Sequence, residues 1–106
     1  MRLLHNFHGF AIRLTEERRA HILEHPEMAT LESAIEEALL RPEKVVRSFH
    51  DPDANLYYRF LHHTQVGEKY LCVVVKTLKA DAFVLTAYLT DHIKKGVPLW
   101  PTPQRE

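Results

Sequence analysis

The chain has 106 residues, enough for one domain with a modest hydrophobic core, and we predict a single domain over residues 1–106. Lys plus Arg and Asp plus Glu both number 14, so composition gives no overall signal for binding nucleic acid. The one cysteine, Cys72, excludes an internal disulfide framework and a cysteine-rich zinc site.

The N-terminal segment, MRLLHNFHGFAIRL, contains histidines and an asparagine where a signal peptide needs an unbroken apolar core. No apolar run in the chain approaches the length of a membrane span. We therefore expect a cytoplasmic protein with no membrane partner. Within this segment, Gly9 followed by residues 10–14 predicts a short first strand.

Two helices are predicted next. Thr15 followed by two glutamates is typical of a helix N-cap, and Pro26 indicates that this first helix ends near His25. The run MATLESAIEEALL then predicts a second helix, which Pro42 closes. Its spacing predicts four inward side chains, Leu31, Ile35, Ala38 and Leu39.

The rest of the chain has the pattern of short strands separated by turn-rich pieces such as DPDAN and TQVGE. Short connections between consecutive strands favour an antiparallel meander. We predict an α+β fold with two N-terminal helices on one face of a four-stranded antiparallel twisted sheet, and leave open an early fifth strand at its edge. The four strands are Lys44–His50, Leu56–His62, Tyr70–Leu78 and Ala82–Thr90.

The last two strands alternate apolar and polar positions. Leu71, Val73 and Val75 must share the buried face with Phe83, Leu85, Ala87 and Leu89, which requires a connection with an odd number of residues, most simply 79–81. The other face then carries Cys72, Val74, Lys76, Val84, Thr86 and Tyr88. Lys76, Thr86 and Tyr88 form a candidate reactive trio on that face, although a solvated outer face explains the same pattern.

The C-terminal tail, HIKKGVPLWPTPQRE, has three prolines and the only tryptophan. We expect Leu99 and Trp100 to dock on the body of the domain and the last few residues to fray.

The first helix places Arg18, His21 and His25 on one face. The segment HILEH also matches the inverted zinc-peptidase pattern, but that site needs a third ligand and a helix that continues past the histidines. Pro26 follows His25 directly, so a polar helix face is the better interpretation. His62 and His63 are interpreted as turn residues, and His5, His8 and His92 have no role that spacing identifies.

Several blocks occur in order: RRAHILEHPEM, RPEKVVRS, LYYRF, YLCVVVK, FVLTAYLT and KKGVPLW. With these blocks the chain resembles the phage-associated branch of the barnase, EndoU, colicin and RelE (BECR) nuclease superfamily. The resemblance implies a BECR-like fold and a small metal-independent endoribonuclease without cofactors. It also implies a toxin of a toxin–antitoxin or phage-conflict system, with RNA as substrate and an antitoxin or immunity protein as partner.

The resemblance implies His21 as a catalytic histidine, Lys76 as a phosphate contact and Thr86 with Tyr88 as substrate-positioning groups. RNA cleavage by 2′-OH attack needs a base, an acid and a cation or donor at the phosphorane. We hypothesise that His21 and His25 supply the acid and base. Lys76 and Arg18 would contact the phosphate, and Thr86 would hydrogen-bond a non-bridging oxygen.

Tyr58, Arg59 and Tyr88 are predicted to hold bases by stacking, because single-stranded RNA is often bound on aromatic and guanidinium planes. A second class of function competes with the enzyme: a non-catalytic module that binds RNA or protein through the same face. The enzyme needs His21 or His25 to reach a phosphate placed against Thr86 and Lys76, whereas the module does not. A homodimer through an exposed sheet edge is left open.

Overall fold

A computed structural model describes residues 1–102. Within that range the chain forms seven strands, two α-helices and one 3-10 turn. In chain order these are β1 Arg2–His5, β2 Ala11–Leu14, α1 Glu16–Leu23, the 3-10 turn Pro26–Met28, α2 Glu32–Leu40, β3 Lys44–Ser48, β4 Ala54–Thr64, β5 Gly67–Leu78, β6 Asp81–Thr90 and β7 Gly96–Trp100.

All seven strands belong to one sheet in the order β1-β2-β6-β5-β4-β3-β7. The pairings are antiparallel except that of β2 with β6, which is parallel and rests on the single pair Arg13 and Phe83. The predicted four-stranded antiparallel sheet with two helices, and with it the BECR-like fold class, is therefore wrong. The protein has a seven-stranded mixed sheet.

The additional strands lie at the two sides of the predicted meander. On one side, β1 and β2 form a hairpin. On the other side the tail supplies β7, which pairs with β3 although it contains Pro98. Proline lacks a backbone N–H and is tolerated on an edge strand, where one side of the backbone has no partner. The tail thus extends the sheet as well as docking on it.

The helices follow the sequence prediction closely. Thr15 caps α1, its side chain accepting a hydrogen bond from the backbone N–H of Arg18 at 3.2 Å. In α2 the buried residues are Ile35, Ala38 and Leu39, three of the four predicted; Leu31 lies just before the helix and is only partly buried against the main core. They pack with Leu71, Val73 and Val75 of β5 in the main hydrophobic core, so both helices lie on one face of the sheet.

Strand β6 contains a β-bulge that breaks the predicted alternation. Near its end Leu89 lies opposite Leu71 and Ala87 opposite Val73, but nearer the turn Val84 lies opposite Val75. Leu85 is the extra residue, and Val84 is therefore in the core, whereas Phe83 lies opposite Lys76. The connection to β5 has the two residues 79 and 80, and the bulge compensates for this even number.

The side of the sheet away from the helices, here called the outer face, has its own small core. Residues 91–95, here called the strap, cross this face between β6 and β7; Ile93 packs on it, and the Lys94 N–H bonds the Tyr58 hydroxyl. The buried residues of this face are Val46, Ala54, Leu56, Tyr58, Cys72 and Val74.

Leu99 packs against the main core, and the Trp100 indole N–H donates to the Pro42 carbonyl at 3.2 Å, which confirms that both residues dock. The predicted fraying of the last few residues falls outside the described part of the chain. No helix within residues 1–102 has both the length and the apolar character needed to cross a membrane.

Candidate functional site

Lys76, Thr86 and Tyr88 lie on the outer face, as strand parity predicted. Tyr88 is directly opposite Cys72, and Thr86 is directly opposite Val74, both of which belong to the outer-face core. Lys76 lies two residues beyond Val74 on the same side of β5, which makes it a diagonal neighbour of Thr86. The trio is therefore one continuous strip across two strands.

Lys76 has a carboxylate partner. Its ammonium donates a hydrogen bond to Asp51, in the loop between β3 and β4. That hydrogen bond, together with one from the Asp53 backbone N–H, holds the pKa of Asp51 below its usual value. A phosphate at Lys76 would have to compete with this carboxylate.

The two tyrosines that were predicted to stack on bases, Tyr58 and Tyr88, are packing residues of the outer face. Tyr58 is 1% exposed, and its hydroxyl accepts a hydrogen bond from the Lys94 N–H at 3.1 Å. Burial raises the pKa of Tyr58 to about 12 and also raises the pKa of Tyr88, which packs beside Cys72. Tyr58 therefore has no exposed ring face on which a base could stack.

The helix histidines lie in the other layer of the molecule. His21 and His25 have ring centroids 6.2 Å apart, with the rings nearly perpendicular, and both side chains are more than half exposed. Between them in sequence, Ile22 is completely buried in the core beneath the helices. Within residues 1–102 no hydrogen bond or ion pair links either histidine to Lys76 or Thr86, so the structure does not bring the predicted catalytic residues together.

Each helix histidine lies beside an acid instead. His21 Nδ1 is 4.0 Å from a Glu24 carboxylate oxygen, and His25 Nδ1 is 4.0 Å from one of Glu27. These carboxylates would repel a phosphate that approached the imidazoles. Among residues 1–102 no group of three His, Cys, Asp or Glu side chains is placed to hold a metal ion.

The predicted arginines belong to the helix side as well. Arg18 is on α1, and Arg59 lies opposite Leu71, whose side chain is in the main core. The Arg59 guanidinium donates to the Arg41 backbone carbonyl at 2.7 Å, after the end of α2. The predicted RNA-binding residues are thus split between the two faces of the sheet.

Charged residues are also divided unevenly between the helices and the strands that follow them. Between residues 16 and 43, which include both helices, there are eight acidic and three basic residues. Between residues 44 and 102, which include β3 to β7 and the strap, there are five acidic and eight basic residues. The zero net charge therefore conceals an acidic helix layer and a basic strand region.

Three lysines border a cavity of about 310 Å³ between β3 and the strap. They are Lys44, Lys94 and Lys95, and the cavity is also lined by Val46 and Phe49. Phe49 is 65% exposed. Within residues 1–102 none of the three lysines makes an ion pair.

The sequence predictions did not include these lysines or Phe49. The available signal was the adjacent pair Lys94 and Lys95 just before an apolar segment, together with a phenylalanine beside His50 in a turn. What sequence could not indicate is that the strap crosses the sheet, because that depends on the tail pairing with β3. His62 and His63 also differ from prediction, since they lie within β4.

Compared with known protein families, curated proteins and solved structures, the chain matches none of them.

Proposed function

We propose that the protein is a non-catalytic module that binds single-stranded RNA at the lysine-bordered cavity of its outer face. The observation that carries this proposal is the convergence of Lys44, Lys94 and Lys95, free of ion pairs within residues 1–102, around an exposed aromatic ring. An RNA ligand is compatible with the expected cytoplasmic location.

The chemistry of the cavity suits a single strand. Ammonium groups neutralise successive phosphates and release their counterions, and an exposed aromatic ring offers a stacking surface for a base. Phe49 supplies that ring beside the lysines. Because stacking is available to every base, we expect little sequence preference.

The geometry favours binding over the cleavage that the resemblance implies. Cleavage requires an acid and a base near the same phosphate. His21 and His25 extend from the helix layer beside Glu24 and Glu27, whereas Lys76 and Thr86 lie on the outer face. A phosphate held by Lys76 would therefore not be held at the same time between the two imidazoles.

Binding is tested by fluorescence anisotropy with a labelled single-stranded RNA dodecamer over a range of salt concentrations. The variant replaces Lys94 and Lys95 with Gln, and the matched control is Lys79→Gln, in the exposed turn between β5 and β6. Each lost phosphate contact lowers the log–log salt slope by about 0.7 on a single strand, so the double variant should lose about 1.4. Equal affinity and slope in the double variant and the control would refute the proposal.

Cleavage is tested in the same samples. After incubation of the RNA with protein in chelator, a denaturing gel should show intact RNA. Degradation that disappears in both His21→Ala and Thr86→Ala would instead establish the ribonuclease.

The toxin hypothesis has its own test. Growth arrest on induced expression, absent for His21→Ala, would support a toxin with an antitoxin or immunity partner. Under our proposal the two strains should grow alike. Sedimentation of the purified protein decides whether it forms a homodimer, which the RNA proposal does not require.

A further inference from the structure

A second and larger cavity, of about 640 Å³, lies on the helix side of the sheet. It lies where the β1–β2 loop faces the β5–β6 turn, and its lining includes Val45 and Leu99 but no residue of either helix. The cavity is therefore separate from the lysine-bordered one, which lies on the outer face. Its volume is within the usual range for sites that bind small molecules.

The loop that forms one wall is held in place by Asn6. The side-chain oxygen of Asn6 accepts hydrogen bonds from the backbone N–H groups of His8 and Phe10, each at 3.0 Å. The Asn6 backbone N–H also donates to the Phe10 carbonyl, and Gly9 has a φ of +82°, which glycine adopts readily. These contacts fix the loop, so the wall is preformed.

The same wall is aromatic. Phe7 lies with its ring centroid 5.1 Å from that of Trp100 and 6.3 Å from that of Tyr57, the second in an edge-to-face arrangement. The hydrogen bond from the Trp100 indole to Pro42 fixes this contact to the body of the domain. A planar apolar molecule would find flat surfaces here.

Two buried side chains at this cavity each have a polar hydrogen with no acceptor within residues 1–102. Asn6 is 8% exposed and Tyr57 4% exposed, and the Asn6 side-chain amide donates to the Tyr57 hydroxyl at 3.1 Å. The hydroxyl therefore accepts from Asn6, and within residues 1–102 its own hydrogen has no acceptor. The second amide hydrogen of Asn6 has none there either. Burial raises the pKa of Tyr57, so its hydroxyl stays protonated and remains a donor at neutral pH.

Two further polar residues line the cavity on the strands. Asn55 and Thr77 lie on the same side of the sheet as Tyr57 and Val75, where alternation would otherwise place apolar side chains. Neither side chain makes a hydrogen bond within residues 1–102. Asn55 is half-buried and Thr77 is exposed, so both side chains are accessible to a polar atom of a ligand in the cavity.

We propose that this cavity binds a small aromatic molecule that carries a carbonyl or carboxylate oxygen, with that oxygen accepting hydrogen bonds from Tyr57 and Asn6. The aromatic body would pack against Phe7. Lys79 lies at the mouth and is exposed, which would add attraction for a carboxylate over a neutral carbonyl.

The test uses three probes of one shape: 2-naphthamide, 2-naphthoate and naphthalene. They are titrated into the full chain while its ¹H–¹⁵N spectrum is recorded. We expect shifts confined to the β1–β2 loop, the β5–β6 turn and Tyr57, and affinity at least tenfold lower for naphthalene, which lacks the oxygen. The proposal would be overturned by equal affinity for all three probes, or by no binding up to the solubility limit of the probes. Chemical-shift changes centred on the strap would also overturn it.

Two variants distinguish the contribution of the Tyr57 hydroxyl from that of the cavity volume. Tyr57→Phe should lower the affinity for naphthamide and naphthoate about tenfold and leave the affinity for naphthalene unchanged. Ala82→Leu, which adds volume at a residue that lines the cavity, should weaken the binding of all three probes. Lys79→Gln tests whether a carboxylate is preferred over a neutral carbonyl, because it should lower the affinity for naphthoate alone. The lysine pair variant of the outer face serves as the control and should bind all probes normally.

Discussion

Lys76 of β5 and Asp51 of the loop between β3 and β4 are joined by a hydrogen-bonded ion pair. Two further contacts tie the same loop in place: the Asp51 carboxylate accepts from the Asp53 N–H at 3.0 Å, and the Thr77 N–H donates to the Asp53 carbonyl at 2.7 Å. Phe49, the aromatic residue of the proposed RNA site, lies in the same loop, two positions before Asp51.

Asp51→Asn should lower the free energy of unfolding more at pH 6 than at pH 3. The folded state lowers the pKa of Asp51, so it favours the ionised carboxylate. The resulting stabilisation is complete above the ordinary pKa of 3.8 and is lost as pH falls through the lowered folded value. Urea unfolding at the two pH values measures the difference.

Asp53→Asn is the matched control, because its carboxylate makes no ion pair or hydrogen bond within residues 1–102. It should change stability little at either pH. An Asp51→Asn effect of equal size at pH 6 and pH 3 would show that the ion pair does not contribute.

Tyr58→Phe should destabilise the protein by about 1 kcal/mol and loosen the strap. The change removes the acceptor for the Lys94 N–H, which is partly buried, and leaves that donor unpaired. Urea unfolding gives the free energy, and hydrogen exchange of the Lys94 amide reports the strap directly. Tyr70→Phe is the control, since its hydroxyl has no partner within residues 1–102; equal exchange at Lys94 in both variants would contradict the expectation.

Local signals predicted the helices well. A capping threonine at position 15, a proline at position 26 and the apolar spacing of α2 act over a few residues, and each has its expected effect. The parity of the β5–β6 hairpin was correct near Leu71 and Leu89 but wrong near the turn. The bulge at Leu85 and the two-residue connection compensate for each other, so the sequence pattern contains no sign of either.

The size of the sheet depends on contacts between distant residues. The parallel ladder of β2 with β6 is registered at Arg13 and Phe83, which are 70 positions apart, and β7 is a proline-containing edge strand. The short strand predicted within residues 10–14 is present as β2, but its sequence does not indicate which strand it pairs with, and the proline in β7 argues against a strand there. The number and order of strands therefore depend on pairings between distant segments, which local sequence patterns do not indicate.

The predicted catalytic residues do not come together, and the alternation of side chains along β5 already explains why. If Leu71 is buried beneath the helices, Lys76, at an odd separation along the same strand, must face away from them. His21 belongs to the helix layer. Strand parity correctly placed Lys76, Thr86 and Tyr88 together, and the same parity separates them from the helix histidines.

Leu39→Ala should destabilise the protein by about 2–4 kcal/mol, whereas Leu40→Ala should change stability by well under about 1 kcal/mol. Leu39 is completely buried in the main core, and Leu40, its neighbour in sequence, is 36% exposed. The first substitution leaves a cavity between α2 and the sheet, while the second removes surface already in contact with water. Urea unfolding of both variants measures the contrast, and similar losses would mean that α2 does not pack as described.

Gly96→Ala should weaken the pairing of β7 with β3. A Cβ at position 96 would overlap the Arg47 backbone carbonyl and crowd the Val46 side chain, neither of which can move without disturbing the sheet. We expect a loss of about 1–3 kcal/mol, as for other overpacked sites. Trp100, the only tryptophan in the chain, lies on β7, so a red shift of its fluorescence would report the displaced strand. Val97→Ala, at the next position, removes side-chain volume without a clash and should leave the emission unchanged; the same spectrum in both variants would show that β3 tolerates a side chain at position 96.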